Sequence, residues 1–203
     1  MPMKPWTDLD DLLNWIWTHV EAAASNRDHP MRTPAIATAG FEEPQVRTVV
    51  LRQADRAARH MAFHSDRRAQ KIEEIRANDR IAWHVWNTEE SVQLRLRGHA
   101  TVHTTDAVAD EMWMAESPRS LDLYLKDKPP ASPADEPVDG LPDHAKAGSL
   151  TREDVSAGRM HFAVVRTVID HIDALHLRRD RHQRARFRWD DADQAWDADW
   201  LIP

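Results

Sequence analysis

A chain of 203 residues, 41% hydrophobic and 30% charged, is long enough to bury one substantial core and has the composition of a folded globular protein, not a disordered one. The formal net charge of −7 argues against broad attraction to nucleic acid or to an anionic membrane, and no apolar run approaches the ~20 residues that cross a bilayer. Cysteine is absent, and Gly40, Gly98, Gly140, Gly148 and Gly158 are too scattered for a dinucleotide or P-loop fingerprint, which excludes disulfides, thiolate chemistry and both of those nucleotide sites.

Behind Thr7, with Asp10 three residues on, Leu9, Leu12, Leu13, Ile16, Trp17 and Val20 recur at helical spacing and predict an amphipathic first helix. From Pro34 the pattern turns to strands: Ala35 to Ala39, the β-branched run Val46 to Arg52, and Met61 to His64. Arg67 to Ala77 reads as a helix stopped by Asn78-Asp79, and Ile81 to Trp86 as a strand. Ser91 to His103 is a long strand with Val92, Leu94 and Leu96 on one face and Gln93, Arg95 and Arg97 on the other. Asp106 to Ala115 and Pro118 to Leu125 predict two helical pieces packed on the sheet, and the prolines at 129, 130, 133, 137 and 142 mark a surface loop at about 126–150. Thr151 with Asp154 caps a helical turn, after which His161 to Val168, Ile172 to Leu177, Ala185 to Trp189 and Ala195 to Leu201 read as three or four closing strands. Together these predict one domain over residues 1–203, mainly β, an antiparallel barrel with flanking helices. Acidic residues follow Met1 to Trp6 without the basic-then-apolar layout of a secretory signal, so the expected location is the cytoplasm.

The segment Arg47-Thr48-Val49-Val50-Leu51-Arg52, followed by Phe63-His64-Ser65-Asp66, Lys71, Gln93 and Gly98, resembles the pyridoxamine 5'-phosphate oxidase family in order and spacing. Arg184-Ala185-Arg186-Phe187, with Trp196 and Trp200 to Pro203, resembles the end of that family, so the match runs from about Arg47 to Pro203. The resemblance implies an FMN-binding split β-barrel, a homodimer with FMN at the subunit interface, a small-molecule substrate, and flavin-dependent oxidoreductase chemistry. By family position Arg47, Thr48, Val49 and Val50 run beside the flavin, Ser65 and Lys71 meet its phosphate, Gln93 hydrogen-bonds it, and Arg186 contacts it from the C-terminal part. Arg52, His64, Gln70 and His176 complete the implied cofactor set. The chemistry of the residues agrees, because a phosphate bound without a glycine-rich loop needs side-chain cations and helix amides, and Arg47, Ser65 and Lys71 can supply them.

The chain also departs from the family pattern, which usually has lysine at Arg52, tyrosine at His64, arginine at Gln70 and tryptophan at His176. Of the residues that grip pyridoxamine 5'-phosphate in the oxidase, a tyrosine is replaced by Trp113, an arginine by Ser117 and a serine by Leu121, while His182 and Arg184 stand where it has an arginine and a histidine. Losing the phosphate-binding arginine points away from that substrate. Arg52, Trp113 and Arg184 are the substrate-contact candidates.

No catalytic base and no metal ligand is named. His60 and His64, like His99 and His103, lie four apart on strands, ~13 Å along the chain, too far to share a metal. The run Arg178 to Arg186 reads as a solvated hairpin with one or two flavin-contacting residues, in preference to an RNA-binding patch. Trp83, Trp86 and Trp113 are expected in the core. Two alternatives stand beside the oxidoreductase reading: a non-catalytic split-barrel module that holds flavin, or haem through His176 or another histidine, and a true pyridoxamine 5'-phosphate oxidase, which Ser117 and Leu121 disfavour.

Overall fold

An aspartate sets the start of the first helix. In the computed structural model, which describes residues 5–40, 43–146 and 149–203, the Asp8 carboxylate accepts the Asp11 N–H at 2.9 Å, so α1 (Leu9–Ser25) begins behind Asp8 and not behind Thr7. Residues Met1–Lys4 of the N-terminal reading and 147–148 of the Pro-rich segment lie outside the described residues. The helix buries Leu12, Leu13, Ile16, Trp17 and Val20, the stripe its spacing predicts, and packs against the third strand.

Among the described residues nine strands follow in one sheet: β1 (Ala35–Ala39), β2 (Pro44–Thr48), β3 (Leu51–Asp55), β4 (His60–Asp66), β5 (Arg80–Asn87), β6 (Val92–His103), β7 (Phe162–His176), β8 (Gln183–Asp190) and β9 (Ala195–Leu201). They run in the order β2-β1-β5-β6-β7-β4-β3, every pairing antiparallel, with β8 added on β7 and β9 on β8. The single run read over Val46 to Arg52 is two strands, because the chain crosses from one end of the sheet order to the other at Val49-Val50. There the Val49 and Leu51 amides donate to Pro34 O and Arg32 O at 2.9 and 3.0 Å. Strands that stand at opposite ends of the order are thus two residues apart in sequence, which rolls the sheet into a barrel split at that crossing.

The pieces read as His161 to Val168 and Ile172 to Leu177 are instead one strand, β7. Its first half pairs with β4 and its second half with β8, while β6 lies along its other edge throughout. Asp170 is squeezed out where the β6–β7 register shifts between Arg97 and Gly98.

Helices α2 (Gln70–Ala77), α3 (Ala107–Ala115), α4 (Pro118–Leu121), continued by a 3-10 turn over Asp122–Leu125, and α5 (Asp143–Lys146) flank the sheet. They divide the apolar interior in two. Met61, Phe63, Ala163 and Val165 face the barrel with α1, whereas Ala62, Phe162 and Val164, their neighbours in sequence, face Trp113, Leu121 and Tyr124 on the other side. This two-sided cover is why β4 is buried at almost every position and does not alternate. Trp83 and Trp113 are core residues as expected, and Trp86 is 37% exposed. No helix among the described residues is long and apolar enough to cross a membrane.

Gly98 is required by backbone approach. A Cβ built there would stand 1.9 Å from Val168 O and 2.7 Å from its carbonyl carbon. Since the obstacle is main chain in the central strand pair, Gly98→Ala is expected to cost about 2–3 kcal/mol. Thermal unfolding followed by circular dichroism should show a midpoint roughly 5–10 °C below wild type.

Candidate functional site

The site is built around the start of α2. Strand β4 ends at Asp66, whose main-chain oxygen accepts the Ala69 amide at 3.0 Å and whose carboxylate accepts the Arg68 amide at 2.8 Å. The Arg68 guanidinium grips the same carboxylate at 3.0 and 2.7 Å and donates to Lys126 O and Asp127 O at 2.8 and 3.2 Å, which ties the root of the Pro-rich loop to this turn. Ala69 is then the N-cap residue and has no side chain with which to cap. The Ile72 amide donates to Ala69 O at 2.9 Å, and the Gln70 and Lys71 amides, at the positive end of the helix dipole, are left to partners outside the described residues. Ser65 lies buried one residue before Asp66.

Arg47, on the end strand β2, reaches α2 from the side. Its Nη2 donates to Glu74 Oε2 at 2.9 Å and its Nη1 to Thr38 Oγ1, while the Thr38 hydroxyl donates to the same Glu74 oxygen at 2.5 Å. The Glu74 side chain is wholly inaccessible and its Oε1 has no hydrogen-bond partner among the described residues. Burial pushes the Glu74 pKa up, but the hydrogen bonds from Thr38 and Arg47 and the guanidinium charge outweigh it, so the carboxyl is held below its ordinary range. Burial also pushes the half-buried Lys71 ammonium down, helped by Arg47 and only partly offset by Asp66 and Glu74. Among the described residues Lys71 makes no ion pair. Gln70 and Lys71 thus stand in the first turn of α2, Ser65 near the end of the strand that leads into it, and Arg47 against the helix at Glu74, with Lys71 in no ion pair among the described residues. Thr48 closes β2, and Val49 and the 38%-exposed Val50 form the crossing beside it.

A second group gathers on the other side of β4. Arg52 meets Glu116, the residue that ends α3, at 3.1 Å, and His64 Nδ1 stands 3.6 Å from the same carboxylate, too long for a hydrogen bond. The His64 ring packs edge-on to Phe162 at 4.8 Å and its Nε2 has no hydrogen-bond partner among the described residues. Burial, then Arg52 and Arg32, lower its pKa to about 3, so the imidazole is neutral despite the nearby carboxylate. Trp113 packs against Phe162 with ring centroids 5.2 Å apart.

The third group lies on the outward face of the sheet. Gln93 Oε1 is 3.3 Å from His84 Nε2, and Asp173 accepts from Arg95 at 2.6 Å and from Arg184 at 2.8 and 3.1 Å, while Arg186 pairs with Asp199 at 2.7 Å. A cavity of about 350 Å³ opens beside them, floored by Ala35, Ala37 and Ala82 and edged by Arg95, Arg97 and His171. His176 stands apart from all three groups. The strand period turns it to the inner side, where Trp6 covers it with ring centroids 5.1 Å apart, and the Trp6 main chain is held by the Gln183 side chain at 2.9 and 2.8 Å.

Thr38, Glu74, Glu116 and Asp173 carry none of the sequence signals used above. Each is a common residue on an ordinary element, and its importance comes from partners distant in sequence, such as Arg47 for Glu74 and Arg52 for Glu116. Among the described residues no group of three or more histidine, aspartate or glutamate side chains is placed to hold a metal ion.

His64 makes stability depend on pH. Its folded-state pKa of about 3 lies below the ordinary 6.5, so between those values the unfolded chain binds a proton that the folded one does not, and stability falls as pH falls through that window. His60, His171 and His176 are shifted the same way, chiefly by burial. Urea unfolding from pH 6.5 to 4.5 should therefore show stability lost on acidification, with His64→Gln reducing the slope by up to ~1.4 kcal/mol per pH unit, one proton's share.

Residues 13–104 match the family model of the pyridoxamine 5'-phosphate oxidase, FMN-binding domain. No curated protein matches the chain in sequence. Among solved structures, the chain is similar over its whole length to the whole of a pyridoxamine 5'-phosphate oxidase-related, FMN binding protein from Nostoc punctiforme PCC 73102, at 18% identity and a TM-score of 0.71. It is similar over 98% of its length to 95% of PhzG from Burkholderia lata 383, a structure in complex with tetrahydrophenazine-1-carboxylic acid, at 18% identity and a TM-score of 0.64. A general stress protein 26-related protein from Clostridium acetobutylicum matches 88% of the chain over 95% of its own, at 10% identity and a TM-score of 0.55. Residues 13–104 thus match the model of the family's FMN-binding domain, and the chain over its whole length shares the fold of the pyridoxamine 5'-phosphate oxidase-related split-barrel structure.

Proposed function

We propose that the protein binds FMN in a site shared between two copies of the chain and acts in the cytoplasm as an FMN-dependent oxidoreductase on a small molecule other than pyridoxamine 5'-phosphate. The observation that carries this reading is the cationic end of α2: an uncapped helix N-terminus beside Lys71, which has no ion pair among the described residues, and beside Arg47. These groups fit the phosphate of a flavin nucleotide, which brings close to two negative charges and accepts several N–H donors. Bound FMN would supply two-electron transfer chemistry that no side chain here offers.

In this reading Arg47, Ser65, Gln70 and Lys71 hold the phosphate, and the crossing at Thr48, Val49 and Val50 lies along the ring system. Gln93, Arg184 and Arg186, on the outward sheet face, meet the cofactor of the other copy. His64 stays uncharged and packed, so it neither donates nor takes a proton near neutral pH. Arg52 and Arg184 bear on the substrate: each is already matched by a carboxylate of its own chain, Glu116 and Asp173, so a doubly charged phosphate arriving there competes with a tethered anion. That charge balance supports a substrate without a phosphate group.

An absorbance spectrum of the purified protein, with the released cofactor identified by mass, tests the reading. Bound FMN is expected, with Lys71→Ala binding it roughly tenfold or more weakly, the loss of one charge-assisted contact. Sedimentation should give a homodimer. A protein that stays colourless when offered FMN would remove the oxidoreductase reading, and a Soret band in place of flavin bands would favour a haem-binding module.

A further inference from the structure

We propose that Thr38 and Glu74 are positioning residues for Arg47, holding one edge of its guanidinium so that the other edge is presented to the phosphate of the bound cofactor. The proposal rests on the FMN reading and extends it to two residues that lie behind the arginine. A guanidinium carries five N–H donors arranged in two forks, one between the terminal nitrogens and one between Nε and the second terminal nitrogen. In Arg47, Nη1 donates to Thr38 Oγ1 and to Gln45 O at 3.3 Å, and Nη2 donates to Glu74 Oε2 at 2.9 Å, which occupies the first fork. The second fork finds no acceptor among the described residues, and it is the one suited to a bidentate grip on a phosphate.

The three side chains close a ring. Thr38 Oγ1 accepts from Arg47 and its hydroxyl donates a hydrogen bond to Glu74 Oε2 at 2.5 Å, so the direction of each hydrogen bond is set by the others. Water cannot substitute for either partner, since the Glu74 side chain is 0% exposed and Thr38 is 2% exposed. A long arginine on an end strand would otherwise lose much rotamer freedom on gripping a ligand, and the ring removes that loss beforehand. Glu74 also cancels the Arg47 charge, so Arg47 reads the phosphate through hydrogen-bond geometry while Lys71 supplies the net attraction.

Thr38→Val keeps the shape of the strand residue and every charge while removing the hydroxyl, and Thr38→Ser restores it. The full-length protein freed of bound flavin would be titrated with FMN and with riboflavin, which lacks the phosphate, following flavin fluorescence. Wild type is expected to prefer FMN, Thr38→Val to lose roughly tenfold in FMN affinity with riboflavin unchanged, and Thr38→Ser to recover it. An equal loss of both flavins, or an unchanged FMN-to-riboflavin ratio in Thr38→Val, overturns the positioning role and leaves FMN binding standing. A wild type that binds neither flavin, or both alike, overturns the proposed function itself and the positioning role with it.

Discussion

Strand β7 has to serve two sheets' worth of neighbours with one backbone, and most of the architecture follows from that demand. Along one edge it pairs with β6 for nearly its whole length; along the other it pairs first with β4 and then with β8. A strand cannot keep both partners on one smooth twist, and the extra residue at Asp170, opposite Gly98, is where the change of direction is absorbed. The glycine is needed because the β7 carbonyl of Val168 approaches the β6 backbone at that bend. Upstream of the bend β7 and β4 are covered on both faces; downstream, β7 and β8 turn one face outward, which carries Asp173 and its arginines.

The charged residues are organised by a second constraint, that a carboxylate drawn into low dielectric must be matched. Asp66 is met by Arg68, Glu74 by Arg47 and Thr38, Glu116 by Arg52, and Asp173 by Arg95 and Arg184. Each pairing joins elements that are distant in the chain or at a turn, so ion pairs here fix how the barrel's parts sit relative to one another more than they add net stability. Lys71 breaks the pattern: it is half-buried, crowded by Arg47, and without an ion pair among the described residues. Such a cation is costly unless an anion arrives, which is why the reading of function turns on it.

Much of this was legible in the residues. Helical spacing over Leu9 to Val20 and strict alternation over Val92 to His103 determined one helix and one long strand, because burial of a single face imposes a period that local sequence must obey. Asp106 to Ala115 read as a helix, and the structure makes Asp106 its cap, accepting the Ala109 amide. The resemblance in Arg47 to Arg52, His64 to Lys71, Gln93 and Gly98 named residues that the fold then distributes among three groups, one of them at the α2 end. The sequence could not show that Val46 to Arg52 is two strands, since a β-branched run reads alike whether it continues or crosses from one sheet end to the other. Only the closing of the sheet makes that choice.

By itself, then, the sequence determined composition class, most elements, and the set of cations available to a phosphate, all properties carried by residues close together in the chain. The tertiary structure alone decided how those charges are spent. Glu74 looks like any helix acid until β1 and β2 bring Thr38 and Arg47 onto it, and Glu116 like any helix terminus until Arg52 meets it. His176 shares a strand with Asp173, yet the odd offset of three positions turns it inward beneath Trp6. Side-chain facing and charge pairing depend on register between strands far apart in sequence, and register is settled only when the whole sheet closes.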